Sequence, residues 1–258
     1  MGKKLIDPHV ILTDLGALMS ALPTTLIITL IATIVGLLLG LLLAVIKRNQ
    51  VPVVHQVTAV IVSFVRGTPL IVQLYLSFYG IPILLQYLNG WYGTHFNVNA
   101  INPLWFVLIA FGLHEAAYDS EFIRAALNAV DTGEIEAASS LGMTRWQTYR
   151  RIIIPEAFVV ALPTLGNAFI GLMKNTSLAF VVSVVDMTAK GQIVAGSNYR
   201  YFEVYIALAI IYWALTIITE RLLAIIERAI TQYQRSERLT PVPTLHRWRT
   251  FSRGIEHD

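Results

Sequence analysis

The sequence predicts an all-helical integral membrane protein with about five transmembrane helices. Three observations carry this. Only 14% of its 258 residues are charged, where a soluble domain carries about 25%. The mean hydropathy is +0.62. Charge is also absent in blocks: none from Leu15 to Ile46, and no Asp, Glu, Lys or Arg from Gly67 to His114. About 20 apolar residues at ~1.5 Å each cross a hydrocarbon core of ~30 Å. A disordered chain is excluded, and an ordinary soluble enzyme is disfavoured.

The elements follow in order. Residues 1–20 form an N-terminal segment ahead of the membrane domain, which spans 21–230. The first span, near 21–46, has no small-x-small cleavage site after it and is read as a span, not a signal peptide. The second, near 57–88, is longer than a straight crossing and contains Gly67 and Pro69. A third lies near 103–124. The fourth, near 155–185, contains Pro163, Gly166 and Gly171. The fifth lies near 201–226, and a basic tail follows at 231–258. Proline and glycine inside a span are tolerated where neighbours or a water-filled cavity satisfy the freed backbone. They are read either as kinks set by packing or as the lining of a path.

Five spans place the two ends of the domain on opposite sides. A cytoplasmic C-terminus puts 13 Lys and Arg residues inside and four outside, with Arg66 and Lys174 left within spans. The positive-inside rule then places the N-terminus outside. That rule also accounts for the net charge of +3, so nucleic acid is not expected as a partner. Cysteine is absent, which excludes disulfides and thiolate metal sites.

The loop 125–154 is the most informative stretch. Asp131 and Glu134 have capping-box spacing, and so do Thr144 and Gln147. Two short helices are expected, joined where Gly142 can adopt a left-handed conformation. Ala137 and Ala138 are small enough for a partner's surface to approach the backbone closely. Leu141, Met143 and Trp146 offer apolar anchors of the kind that dominate interfaces. The loop either docks a partner or rests on the bilayer.

Glu136-Ala137-Ala138, with Gly142, Ile152 and Ile154-Pro155 at the matching intervals, resembles the EAA motif of ATP-binding-cassette importer permeases. Ile154 stands where leucine is usual. Three further stretches resemble signatures of the polar amino acid branch: Arg66-Gly67-Thr68-Pro69-Leu70 with Gln73, Ala117-Tyr118-Asp119-Ser120-Glu121 with Arg124, and Lys174-Asn175-Thr176-Ser177-Leu178. The resemblance covers about 20–230. It implies a type I permease fold working as a homo- or heterodimer with a second permease subunit. It also implies two cytoplasmic ATPase subunits, an extracytoplasmic solute-binding protein, and an amino acid as substrate. The multi-pass subunit would sit in a prokaryotic plasma membrane and need no cofactor. In such a subunit Glu136, Ala137, Ala138, Leu141, Gly142, Met143 and Trp146 would couple to the ATPase.

Other constellations are weaker. Gly166-x4-Gly171 lacks the Gly-Lys-Ser/Thr that a phosphate loop requires, so ATP hydrolysis is assigned to a separate subunit and this chain is not read as an enzyme. The six histidines show no HExxH or other metal spacing, so no metal is expected. Asn167, Gly171 and Lys174 share one helix face by their spacing, and Tyr118 and Glu121 share one on the third span. These five are the candidates for a polar substrate path. A stand-alone, ion-coupled secondary transporter is the alternative function. It would have no use for the 125–154 loop.

Overall fold

The computed structural model describes residues 7–49 and 52–238, in which every regular element is helical. The Lys3 and Lys4 of the charge count lie outside the described residues, as does the tail from 239 onward. Eleven α-helices make up the described fold. α1 (Pro8–Met19) is capped by Asp7, whose carboxylate accepts from the His9 N–H. α2 (Leu22–Asn49) is the first span. α1 was expected only as part of a leading segment. It is a helix whose Leu18 packs with Met187, Val204, Ala207 and Leu208.

The second span is a broken helix. α3 (Pro52–Gly67) stops at Thr68-Pro69, and α4 (Leu70–Tyr75) begins directly after. Proline restricts the residue before it to extended conformations, and here it opens the new helix. The chain continues through a π turn at Leu76–Gly80 into α5 (Ile81–Tyr92), which ends at Gly93 in the left-handed region. α6 (Pro103–Asn128) follows, N-capped by Asn102.

α6 is the axis of the fold. The Tyr118 hydroxyl donates to the Arg66 carbonyl, His114 Nδ1 pairs with Gln73 Oε1 at 3.1 Å, and the Ser77 hydroxyl donates to the Phe106 carbonyl. The broken helix therefore runs antiparallel along α6, with its break beside residues 114–118, near mid-length. Arg66 sits at this break, its guanidinium 5.4 Å over the Tyr118 ring. On the other side, α2 lies against α6 at glycine distance. A Cβ on Gly36 would stand 2.5 Å from Glu115 Cβ, and one on Gly40 2.8 Å from Asp119 Cβ. Only hydrogen at both positions allows so close a crossing.

α7 (Thr132–Ser140) is the loop helix. α8 (Arg145–Thr148) passes through a second π turn, Tyr149–Ile153, into α9 (Ile154–Asn175). The second short helix of the loop is thus the first turn of the fourth span and not a separate unit. Both π turns end one residue before a helix whose second residue is proline, Pro82 or Pro155. A proline cannot donate and crowds the preceding turn, and a widened turn relieves that crowding. α9 tightens into a 3₁₀ stretch at Thr176–Val182, ended by Ser183 at φ 66°. α10 (Met187–Asn198) is capped by the buried Asp186, which accepts from Ala189 N–H. α11 (Tyr201–Arg238) completes the bundle.

Four helical stretches are long and apolar enough to cross a membrane: Leu22–Arg48, Leu70–Tyr92, Arg145–Val182 and Tyr201–Thr231. α6, at 26 residues, has the length for a fifth, and its acidic residues lower its hydropathy. Glu115 and Asp119 are both buried there, and Asp119 Oδ1 has no hydrogen-bond partner. Ionisable side chains at that depth must face protein, and these two face the glycine seam of α2.

Candidate functional site

The loop site is built by local rules. Asp131 caps α7 by accepting from the Gly133 N–H at 2.9 Å, at the second helical position. At the other end the Gly142 N–H donates to the Ser139 carbonyl and the Met143 N–H to the Ala138 carbonyl, at 3.0 and 3.1 Å. This pair of bonds is a Schellman motif, and Gly142 holds it at φ 76°. The expected Thr144–Gln147 capping box is complete, with both reciprocal bonds present. Glycine turn and capping box together fix the angle between α7 and the start of the fourth span.

This geometry sorts the loop candidates. Leu141 is 83% exposed and Trp146 69%. Glu136 and Ala137 are also exposed, and Met143 is half-buried. Ala138 is buried. It does not offer the close approach expected of it, because the α7 face that carries it turns inward; it seats the helix on the chain. Leu141 and Trp146 thus stand uncovered on a turn whose backbone is fixed on both sides.

The membrane candidates do not converge on one point. Glu121 is held by two cations: Lys47 Nζ donates to Oε1, and Arg124 donates to Oε2 through Nε at 3.0 Å and Nη2 at 2.6 Å. Its charge is already matched. The Tyr118 ring lies against His114, tilted by 39° with centroids 4.8 Å apart, and belongs to the clamp on the span-two break. In that clamp Gln73 Nε2 donates to the Val65 and Thr68 carbonyls, at 2.6 and 3.0 Å, satisfying backbone acceptors that the break exposes.

Asn167 lies apart from these, in a groove of about 160 Å³ between α9 and α11. Pro163, Gly166, Ile170, Glu220 and Glu227 also line it. Gly171 is half-buried, one turn further on, and Lys174 is exposed. The helix changes type after Asn175. The bonds that hold it come from the Thr176 hydroxyl, which reaches the Met173 carbonyl at 2.9 Å and Asp186 Oδ2 at 3.3 Å. The reading of the sequence did not include Lys47, Glu220 or Glu227 among the site residues. Lys47 and Glu121 pair across 74 residues, which no local spacing reveals. Glu220 and Glu227 share a face by their seven-residue spacing, a signal that was available.

Comparison with known proteins agrees with this architecture. The chain is 43% identical over 231 residues to the probable amino-acid permease protein YxeN of Bacillus subtilis, covering 90% of this chain and 99% of that one. It is 40% identical to the L-cystine transport system permease protein TcyL of the same organism, over 71% of this chain and 74% of that one. It is 31% identical to the glutamine transport system permease protein GlnP of Escherichia coli K12, over 68% of this chain and 75% of that one. Among solved structures, a chain of an amino acid ABC transporter crystallised with histidines superimposes with a TM-score of 0.76. It is 35% identical, with coverage of 88% of this chain and 100% of that one. Residues 36–232 match the family described as binding-protein-dependent transport system inner membrane component, and the chain belongs to that family of multi-pass membrane permeases.

Proposed function

We propose that this permease is the membrane-spanning subunit of an ATP-driven importer of polar amino acids, working by alternating access in a prokaryotic plasma membrane. The observation that carries the reading is the rigid α7–Gly142–Trp146 turn, with Leu141 and Trp146 exposed. A stand-alone secondary transporter needs no such surface, whereas an ATPase subunit needs one to move the spans. The amino acid is inferred from the names of the relatives. Hydrolysis belongs to a dimer of cytoplasmic ATPase subunits, and delivery to an extracytoplasmic binding protein. Asn167, Lys174 and Asn175 are exposed on a membrane helix. Polar groups there do not face hydrocarbon, so a second permease subunit and an aqueous path cover them.

The orientation follows from the charge bias, with the N-terminus outside and α7 in the cytoplasm. His95→Cys and Ser139→Cys test it in this cysteine-free chain. An impermeant thiol reagent applied to intact cells should label the first and spare the second. The reverse pattern would invert the assignment.

Within the path, the Asn167 amide can donate to a carboxylate and accept from an ammonium, with Glu220 and Glu227 lining the same groove. Gly171 leaves room on that face. Tyr118 and Glu121 border the path from α6 as part of the ordered span-two break and the ion cluster. Lys174 lies seven residues beyond Asn167, about 10 Å at ~1.5 Å per residue, too far for both to hold one small solute. Asn167→Ala should weaken substrate affinity by about 1–3 kcal/mol, relax preference among competing amino acids and leave basal ATPase activity intact. Lys174→Met should instead lower coupling or assembly with preference unchanged. Both are read in vesicles reconstituted with the ATPase and binding protein. An Asn167→Ala permease with unchanged affinity and preference would remove the groove from the path.

A further inference from the structure

Arg66 carries a charge that the chain does not match. It stands at the span-two break, against Tyr118 and near the middle of α6. The residue is exposed, and it is absent from the ion pairs of the described residues. Glu121, one turn along α6 from Tyr118, is already held by Lys47 and Arg124. The Tyr118 hydroxyl donates to the Arg66 carbonyl, and the Tyr118 ring lies under the guanidinium. These contacts steady the group and bring no negative charge to it.

The face of α3 that carries Arg66 turns toward the bundle. Val62, one turn before it, is buried. His55 and Ala59, eleven and seven residues before it and so on the same face, line a cleft of about 340 Å³ with Lys47, Glu121 and Arg124. Val53, Val57, Val60 and Phe64 occupy the opposite face and are exposed. A permanent charge within a span faces protein or water and not hydrocarbon. No atom lies within 4 Å of a Cβ built on Gly67, so the space beside the guanidinium is open. An unmatched guanidinium at an aqueous opening draws an anion, and its fork of N–H donors fits a carboxylate through two parallel bonds. On the reading proposed above, the solute passing here is an amino acid, and its α-carboxylate is the anion common to the whole class. We propose that Arg66 is the subsite for the α-carboxylate of the transported amino acid, with Tyr118 holding the guanidinium in place.

The test places a thiol beside the guanidinium by Gly67→Cys in this cysteine-free chain. The assembled transporter in lipid nanodiscs is treated with an anionic (sulfonatoethyl) or a cationic (trimethylammonioethyl) methanethiosulfonate. Modification of this chain is timed by mass spectrometry, each rate being normalised to that of a free thiol. The anionic reagent should be favoured, and adding Arg66→Gln should lower that preference roughly tenfold. Arg66→Lys should keep most of it. With Arg66 in place, a pool of polar amino acids should slow the anionic reagent, whereas the corresponding amino acid amides, or chloride at the same concentration, should not. Equal normalised rates for the two reagents, or protection by the amides as strong as by the acids, would overturn the proposal. Protection by chloride alone would make Arg66 a halide site and overturn it as well. If Arg66→Gln does not assemble, the reagent preference and the protection measured with Arg66 intact decide the matter. Uptake by the unsubstituted transporter in vesicles separates this proposal from the wider reading. Uptake of amino acid without protection at the thiol removes the carboxylate subsite alone, and absence of uptake removes the importer.

Discussion

Gly36→Ala is expected to deplete the membrane of folded permease several-fold, although it adds a single methyl group to a helix. In the native crossing that methyl would lie 2.5 Å from Glu115 Cβ. A Cβ is attached to backbone and cannot swing aside, so α2 must move away from α6. Overpacking of this kind costs about 1–3 kcal/mol, and ~1–2 kcal/mol already changes cellular abundance several-fold. The displacement also uncovers Glu115 and Asp119, which this seam keeps buried. Gly40→Ala, 2.8 Å from Asp119 Cβ, should act in the same direction. Gly16→Ala is the control, because no atom lies within 4 Å of its added Cβ and alanine favours helix by up to ~1 kcal/mol. Membrane abundance and thermal unfolding in detergent give the readout. Glu115→Gln keeps the offending Cβ and should not rescue Gly36→Ala. If Gly36→Ala matches Gly16→Ala, the glycine seam does not set the crossing.

That seam shows what the sequence did and did not disclose. The charge-free runs located the first span to within a few residues, because excluding charge from hydrocarbon is a property of composition alone. The Gly36-x3-Gly40 spacing on α2 and the Glu115-x3-Asp119 spacing on α6 were both visible. Which helix each would meet was not, because a helix pair is chosen by the whole bundle. The helices α1 and α10 were passed over for a different reason. Asp7-Pro8 and Asp186 are ordinary capping signals, but 12-residue helices are too short to register as spans. Gly67 and Pro69 suggested a kink, and the chain breaks there outright. What makes the break tolerable is Gln73 and His114, one donating to freed carbonyls and the other fixing the amide.

The α7–Gly142 turn was the most legible site because it is local. Asp131, Gly142, Thr144 and Gln147 act within four residues of their partners, so spacing and structure coincide. The membrane candidates were the least legible, because their neighbours come from helices that meet only in the folded bundle. Glu121 illustrates this. It reads as a free carboxylate on the third span, and Lys47 closes it into an ion cluster from the end of the first.

Gly142→Val should abolish transport while the permease still inserts and folds. The residue sits at φ 76° in the Schellman turn, where a β-branched side chain is a strong outlier. The left-handed conformation costs an ordinary L-residue ~1–2 kcal/mol. The turn has two hydrogen bonds to hold it, too few to absorb that strain, and α7 relaxes by changing its angle to Arg145–Val182. No atom lies within 4 Å of an added Cβ, so the defect is conformational and not a clash. Gly142→Asn separates the two causes, because asparagine tolerates the left-handed region with a side chain of similar bulk. With the ATPase and binding protein reconstituted, the valine variant should lose uptake by about tenfold or more, the scale of ~1.4 kcal/mol. Its hydrolysis should no longer respond to the binding protein. The asparagine variant should retain most of its uptake, and both should reach the membrane at normal levels. Equal loss in the two would point to exposed bulk at the docking surface. Normal uptake in Gly142→Val would mean that the angle between α7 and the fourth span does not transmit the ATPase's motion.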